Sequence, residues 1–143
     1  MSVIEAEYVV NHSGSVCLDM SDTIPESVTA TFTGPFSYTA SLLFTSFGGI
    51  VTMVIPAHAV LSTAAAAATT AAAIIPTAMR PTSTIYIPVI VQSAAATFVA
   101  GSVAVLANGT VSVYCNAAGD PVGVFANGPA VVGWPKLSVQ WPL

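Results

Sequence analysis

From Ser27 through Met79 the chain carries no charged side chain at all. A surface helix needs a charged or polar face to turn toward water, and this stretch cannot supply a charged one. What it does carry is alternation. Ser27–Thr33 reads SVTATFT, apolar and hydroxyl residues taking turns with several β-branched, which is the pattern of a half-buried strand. Gly34-Pro35 marks a turn, and Phe36–Ser46 resumes strand character. Gly48-Gly49 breaks or bulges that run before the next strand, Ile50–Ile55.

The centre of the chain, Phe47 to Tyr114, sets the rest of the organisation. The stretch 75–81 (IPTAMRP) predicts an extended turn, because each proline fixes its own φ and pushes its predecessor out of the helical region. Thr84–Gln92 reads as a strand at an edge or bulge, since Pro88 can donate nothing to a ladder. Thr97–Leu106 and Thr110–Asn116 form a hairpin around Asn108-Gly109, the strongest short-range turn signal.

Ala57–Ala73 is the ambiguous segment. Alanine favours helix, but Thr63, Thr69, Thr70 and the prolines at both ends argue for β and loop, and that is the reading taken. Toward the C-terminus, Val122–Ala126, Ala130–Trp134 and Leu137–Trp141 are strands, separated by turns that include Ala117–Pro121 and Asn127-Gly128-Pro129. At the other end Ser2–Val10 alternates loosely up to the turn cluster Asn11–Gly14. Ser15–Asp19 forms a short strand and Ser21–Glu26 a polar loop. Many short strands with turn signals between them, and no fixed period, predict an all-β, jelly-roll-like antiparallel β-sandwich.

Composition then limits what such a domain can do. Charged residues are 6% of the 143, against roughly 25% in an ordinary soluble domain. Eight side chains carry formal charge, and most of the net −4 lies in the first 26 residues. Much Ala and Val must therefore remain on the outside of a lone subunit, and apolar surface of that kind marks an interface. The expectation is a homo-oligomer with a large subunit contact. Two basic residues, Arg80 and Lys136, give no electrostatic footprint for nucleic acid.

Ala57–Ile75 is uncharged and long enough to span a bilayer, but it is Ala/Thr/Ser-rich, bracketed by Pro56 and Pro76, and lacks flanking Lys or Arg. No membrane span is expected. The acidic, alternating start MSVIEAEYVV does not read as a signal peptide. The acceptor patterns Asn11-His12-Ser13 and Asn108-Gly109-Thr110 therefore read as unused. Cys17 and Cys115 could form one bridge or none, with two free thiols the preferred reading.

Reactive constellations are missing from the sequence. His12 and His58 stand beside no nucleophile elbow and have no ligand-spaced companions, so they read as structural histidines, with no metal site. The acids Glu5, Glu7, Asp19, Asp22 and Glu26 crowd the N-terminal arm and Asp120 stands alone in a turn, which is poor material for a paired-carboxylate cleft. No glycine-rich loop opens a helix to hold a phosphate or a nucleotide cofactor. No catalytic residue, metal ligand or cofactor is assigned, and a non-enzymatic role is expected.

Two residues remain as ligand contacts. Arg80 could meet a carboxylated glycan or another anionic group, although a guanidinium that satisfies backbone carbonyls in a turn is the preferred reading. Trp134, flanked by Gly133 and Pro135, is expected to be the more exposed tryptophan and could stack on a sugar, although packing is again preferred. Trp141 falls in the alternating series Leu137, Val139, Trp141 and is expected to be buried.

Several of these stretches, taken in order, carry a family resemblance. They are Thr33–Phe36 (TGPF), Phe47–Met53 (FGGIVTM), Ile75–Pro81 (IPTAMRP), Gly101-Ser102-Val103 through Asn108-Gly109-Thr110-Val111-Ser112-Val113, and Gly133-Trp134-Pro135 before Leu137–Trp141. From about residue 30 to 143 the chain resembles the trimeric β-sandwich head domains of viral and bacteriophage fibre and tail proteins. The resemblance implies a homotrimer in the virion that binds a host-surface glycan or protein receptor, with residues 27–143 as the head. The acidic arm, residues 1–26, would dock onto other virion proteins or extend the trimer contact. A minor capsid or cement protein with the same fold is the alternative, and a carbohydrate-processing enzyme a more distant one.

Overall fold

A computed structural model gives the fold, and it describes residues 8–10, 16–19, 24–116 and 123–143. The protein is all-β and antiparallel. A small hairpin, β1 (Tyr8–Val10) with β2 (Val16–Asp19), stands as its own two-stranded sheet. The other ten strands form one sheet: β3 (Ile24–Thr33), β4 (Tyr38–Phe47), β5 (Ile50–Ile55), β6 (His58–Leu61), β7 (Ala68–Thr70), β8 (Ile85–Ala94), β9 (Thr97–Val105), β10 (Val111–Cys115), β11 (Val131–Trp134) and β12 (Leu137–Pro142). Their order is β12-β5-β4-β3-β7-β10-β9-β8-β11-β6.

Alternation decides which face each strand buries. In β12, Leu137, Val139 and Trp141 are buried while Ser138, Gln140 and Pro142 are exposed. In β5, Val51, Met53 and Ile55 are buried, and in β4, Leu42 and Phe44. The inward residues of β3–β4–β5–β12 and of β8–β9–β10–β11 belong to one continuous core. The sheet is therefore folded over on itself as a β-sandwich. The three-residue β7 joins the halves, pairing with β3 on one side and β10 on the other.

The turns follow local chemistry. Gly48 and Gly49 both have positive φ (59° and 80°), which gives the β4–β5 hairpin a turn twisting with its strands. Asn108-Gly109 closes the β9–β10 hairpin, where Val111 pairs with Val105. There the Asn108 Oδ1 accepts from the Thr110 amide at 3.0 Å and its hydroxyl at 2.8 Å. Pro88 lies in β8, whose outer neighbour β11 pairs with it at Gln92 alone, so its missing N–H leaves no ladder bond broken. The Ala/Thr segment is β6, β7 and loop, as its threonines and prolines predict.

Four expectations need correction. The stretch 75–81 is not extended throughout: Pro76 and Arg80 are extended, but Thr77–Met79 make one turn of 3-10 helix between them. The Val122–Ala126 strand reduces, among its described residues, to an isolated bridge from Phe125 to Ala66. Ile24–Glu26, read as loop, begins β3 and pairs with Ser46, Thr45 and Phe44 of β4. Trp134 is buried rather than exposed. The turns at Asn11–Gly14 and Ala117–Pro121, together with His12, Asp22 and Asp120, lie outside the described residues.

Candidate functional site

Trp134 is 1% exposed, because its strand is not the free turn that Gly-Trp-Pro suggests. β11 pairs with β6, and Trp134 lies opposite His58. A Cβ on Gly133, whose φ is +151°, would run into the carbonyl oxygen of His58, so glycine lets the two backbones approach. The indole packs against Phe32 at 5.3 Å and Phe36 at 5.5 Å between ring centroids, and its Nε1–H donates to the Pro56 carbonyl at 3.0 Å. Edge-to-face packing with the indole N–H satisfied is what a buried tryptophan requires. Its ring faces are occupied by the protein's own aromatics. Trp141, buried as expected, donates its Nε1–H to the Met79 carbonyl at 2.8 Å.

His58 adjoins this cluster. Its ring stacks on Tyr38 at 3.8 Å with 7° between planes and meets Phe36 edge-on at 4.8 Å. Its Nε2 is buried without a hydrogen-bond partner. Burial penalises the charged ring and holds its pKa below the ordinary 6.5. No carboxylate orients it among the described residues and no hydroxyl nucleophile bonds to it, so it is packed as a neutral aromatic.

Arg80 braces two turns. Its Nε–H donates to the Ile75 carbonyl at 2.9 Å. The Gly109 carbonyl in turn accepts from the amides of Ile74 and Ile75 at 2.8 and 3.0 Å. A Cβ on Gly109 (φ +92°) would sit 2.6 Å from that Nε, so the turn glycine makes room for the guanidinium. The side chain is half-buried, and the geometry matches the carbonyl-satisfying role that its place between Met79 and Pro81 suggests.

Two outer surfaces differ in chemistry. On β8–β9–β10 the outward residues include Tyr86, Pro88, Ile90, Phe98, Ala100 and Tyr114. Tyr86, Ile90 and Phe98 are 53%, 58% and 54% exposed, and no charged side chain interrupts them. On β3–β4–β5–β12 the outward positions are mostly hydroxyls, among them Ser27, Thr29, Thr31, Thr39, Ser41, Thr45, Thr52 and Ser138. Thr31 and Thr39 bond across the strands at 2.8 Å.

At the β4–β5 turn this second surface dips into a depression of about 310 Å³ lined by Thr45, Phe47, Ile50, Thr52 and Gln140. Sequence reasoning missed it. It is assembled from the β4–β5 hairpin and from β12, where Gln140 lies 88 residues beyond Thr52, and its only sequence signal is threonine at outward positions next to Phe47 and Ile50. Among the described residues no cluster of His, Cys, Asp or Glu could hold a metal. Cys115 is a buried free thiol.

The sequence matches no protein-family model and no curated protein. The fold does have a counterpart. It is similar to a crystal structure of a reovirus attachment protein, sigma1, in complex with alpha-2,3-sialyllactose, with a TM-score of 0.51 and 10% sequence identity. The alignment covers 99% of this chain and 78% of that one. At that identity the likeness is one of fold.

Proposed function

We propose that this chain is the head domain of a viral attachment protein, a non-enzymatic module of the virion that binds a host-surface receptor. The observation that carries the reading is fold likeness: nearly the whole chain superposes on a viral attachment protein whose structure holds a sialylated sugar. The surface supports it from a different direction. Both sheet exteriors are nearly free of charge, one is built of large apolar side chains, and the other is rich in hydroxyls.

In this reading the β8–β9 exterior packs against copies of the chain in a homotrimer, which removes Tyr86, Ile90 and Phe98 from water. Three copies then present three weak receptor sites together, and avidity replaces single-site strength. The acidic arm, residues 1–26, joins the head to other virion proteins. Trp134 holds the fold from inside, and Arg80 braces the turn at Gly109 with its half-exposed guanidinium as a secondary contact.

The test is adsorption of the purified protein to host cells and to a glycan array, alongside binding to purified capsids. Saturable cell or glycan binding supports attachment. Capsid binding without either would replace it with the cement role.

A further inference from the structure

Resting on the attachment reading, we infer that the depression beside the β4–β5 turn is the receptor site, and that it takes an uncharged sugar rather than an acidic one. Its walls are two kinds of surface set side by side. Phe47 and Ile50, the pair that closes the hairpin, are each 42% exposed and form an apolar wall. Two positions along the ladder, on the same face, Thr45 pairs with Thr52, and Thr52 pairs with Gln140 of β12.

Gln140 Nε2 donates to Thr52 Oγ1 at 3.1 Å. With that oxygen accepting, the Thr52 hydroxyl hydrogen is left to donate, and the Gln140 carbonyl is left to accept. Thr45 adds a second hydroxyl. A pyranose ring has the matching division: an apolar C–H face for an aromatic wall and a rim of hydroxyls for alternating donors and acceptors. The volume is at the small end of ligand sites, enough for a terminal sugar.

Charge decides the class of sugar. No lining residue is charged. Lys136 lies four residues before Gln140, and at about 3.3 Å per residue along an extended strand that is roughly 13 Å of backbone. Arg80 is committed to Ile75 and the Gly109 turn. A carboxylated sugar would therefore lose hydration without gaining a counter-charge, whereas a neutral hexose or N-acetylhexosamine loses nothing of that kind.

The test uses the full chain, displayed multivalently, on an array holding matched neutral and sialylated glycans and on cells with and without sialidase treatment. Comparison variants are Phe47→Ala, Gln140→Ala and Thr52→Val, with Thr29→Ala, on the same exterior but outside the depression, as control and thermal melting to verify folding. The expected result is binding to neutral glycans, unchanged by sialidase. Losing a wall or a hydrogen bond should weaken it about tenfold per variant, repeated across linked sites, and Thr29→Ala should leave it intact.

Sialidase-sensitive binding confined to acidic glycans would overturn the sugar class. Folded cleft variants that bind like wild type would overturn the site while leaving attachment standing. Cell adsorption with no glycan signal would overturn both the site and the sugar class while sparing attachment. Absence of any cell adsorption would remove the attachment reading itself.

Discussion

The two exteriors of this sheet grow from the same strand rule and end with opposite character. On β3–β4–β5–β12 the outward positions are mostly Thr and Ser, on β8–β9–β10 they include Tyr86, Pro88, Ile90, Phe98, Ala100 and Tyr114 beside Gln92, Ser102 and Ser112, and the inward positions of both are mostly aliphatic or aromatic. The first can stay wet at little cost, because each hydroxyl keeps water or a neighbour such as Thr31–Thr39. The second cannot. At about 25 cal/mol per Å² of apolar area, each half-exposed Tyr86, Ile90 or Phe98 holds unrealised burial energy. The difference shows that a chain nearly without charge can still give its two exteriors opposite character, through the balance of hydroxyls and hydrocarbons alone.

The largest loss for both exteriors comes from inside. Trp134→Ala removes the ring against which Phe32 and Phe36 pack and orphans the Pro56 carbonyl, so both exteriors lose their common support. The expected loss is about 3–5 kcal/mol, measured by urea unfolding. The next largest effect separates the faces. Ile90→Glu with Phe98→Glu places two carboxylates on the apolar exterior, and sedimentation should show dissociation into subunits, while the matched change Thr29→Glu with Ser41→Glu should not.

Gly109→Ala puts a methyl where the Arg80 guanidinium lies, in a backbone conformation (φ +92°) unsuited to alanine. It should cost about 1–3 kcal/mol and loosen the Ile74–Arg80 segment, read by hydrogen exchange at the Ile74 and Ile75 amides.

How much of this was legible beforehand follows from where the physics is local. Most strand positions and the Gly48-Gly49 and Asn108-Gly109 turns depend on neighbours in sequence, and they are where the residues say, with Ile24–Glu26 and Val122–Ala126 the exceptions. Trp134 misled because Gly-Trp-Pro looks like a loop. The glycine instead lets β11 approach the His58 backbone, and that partner is far away along the chain. The 3-10 turn at Thr77–Met79 follows a segment pinned to the Gly109 carbonyl by the Ile74 and Ile75 amides, a contact that no local motif encodes. The depression at Thr45, Thr52 and Gln140 depends on β12 pairing with β5, a register no local motif encodes.

A smaller effect comes from the aromatic cluster around Trp134. His58 has its pKa held below 6.5, so the folded state favours the neutral ring. Above pH 6.5 the residue makes no pH-dependent difference. As pH falls below that value, the unfolded chain takes up the proton first and stability declines, until the folded ring also protonates. His58→Phe should flatten the part of the melting-temperature profile due to this residue. It should also gain up to about 1 kcal/mol at neutral pH by removing an unpartnered Nε2. Smallest of all, Gln140→Ala loses one exposed hydrogen bond to Thr52 and should change stability by no more than about 0.5 kcal/mol.

In the proposed assembly, the apolar exterior of β8–β9 is covered by copies of the chain while the hydroxyl exterior is left free. Light scattering of the purified protein at low micromolar concentration tests it most directly. The account predicts a particle of three times the 14.4 kDa chain mass. A monodisperse, soluble species at the mass of a single chain would contradict it.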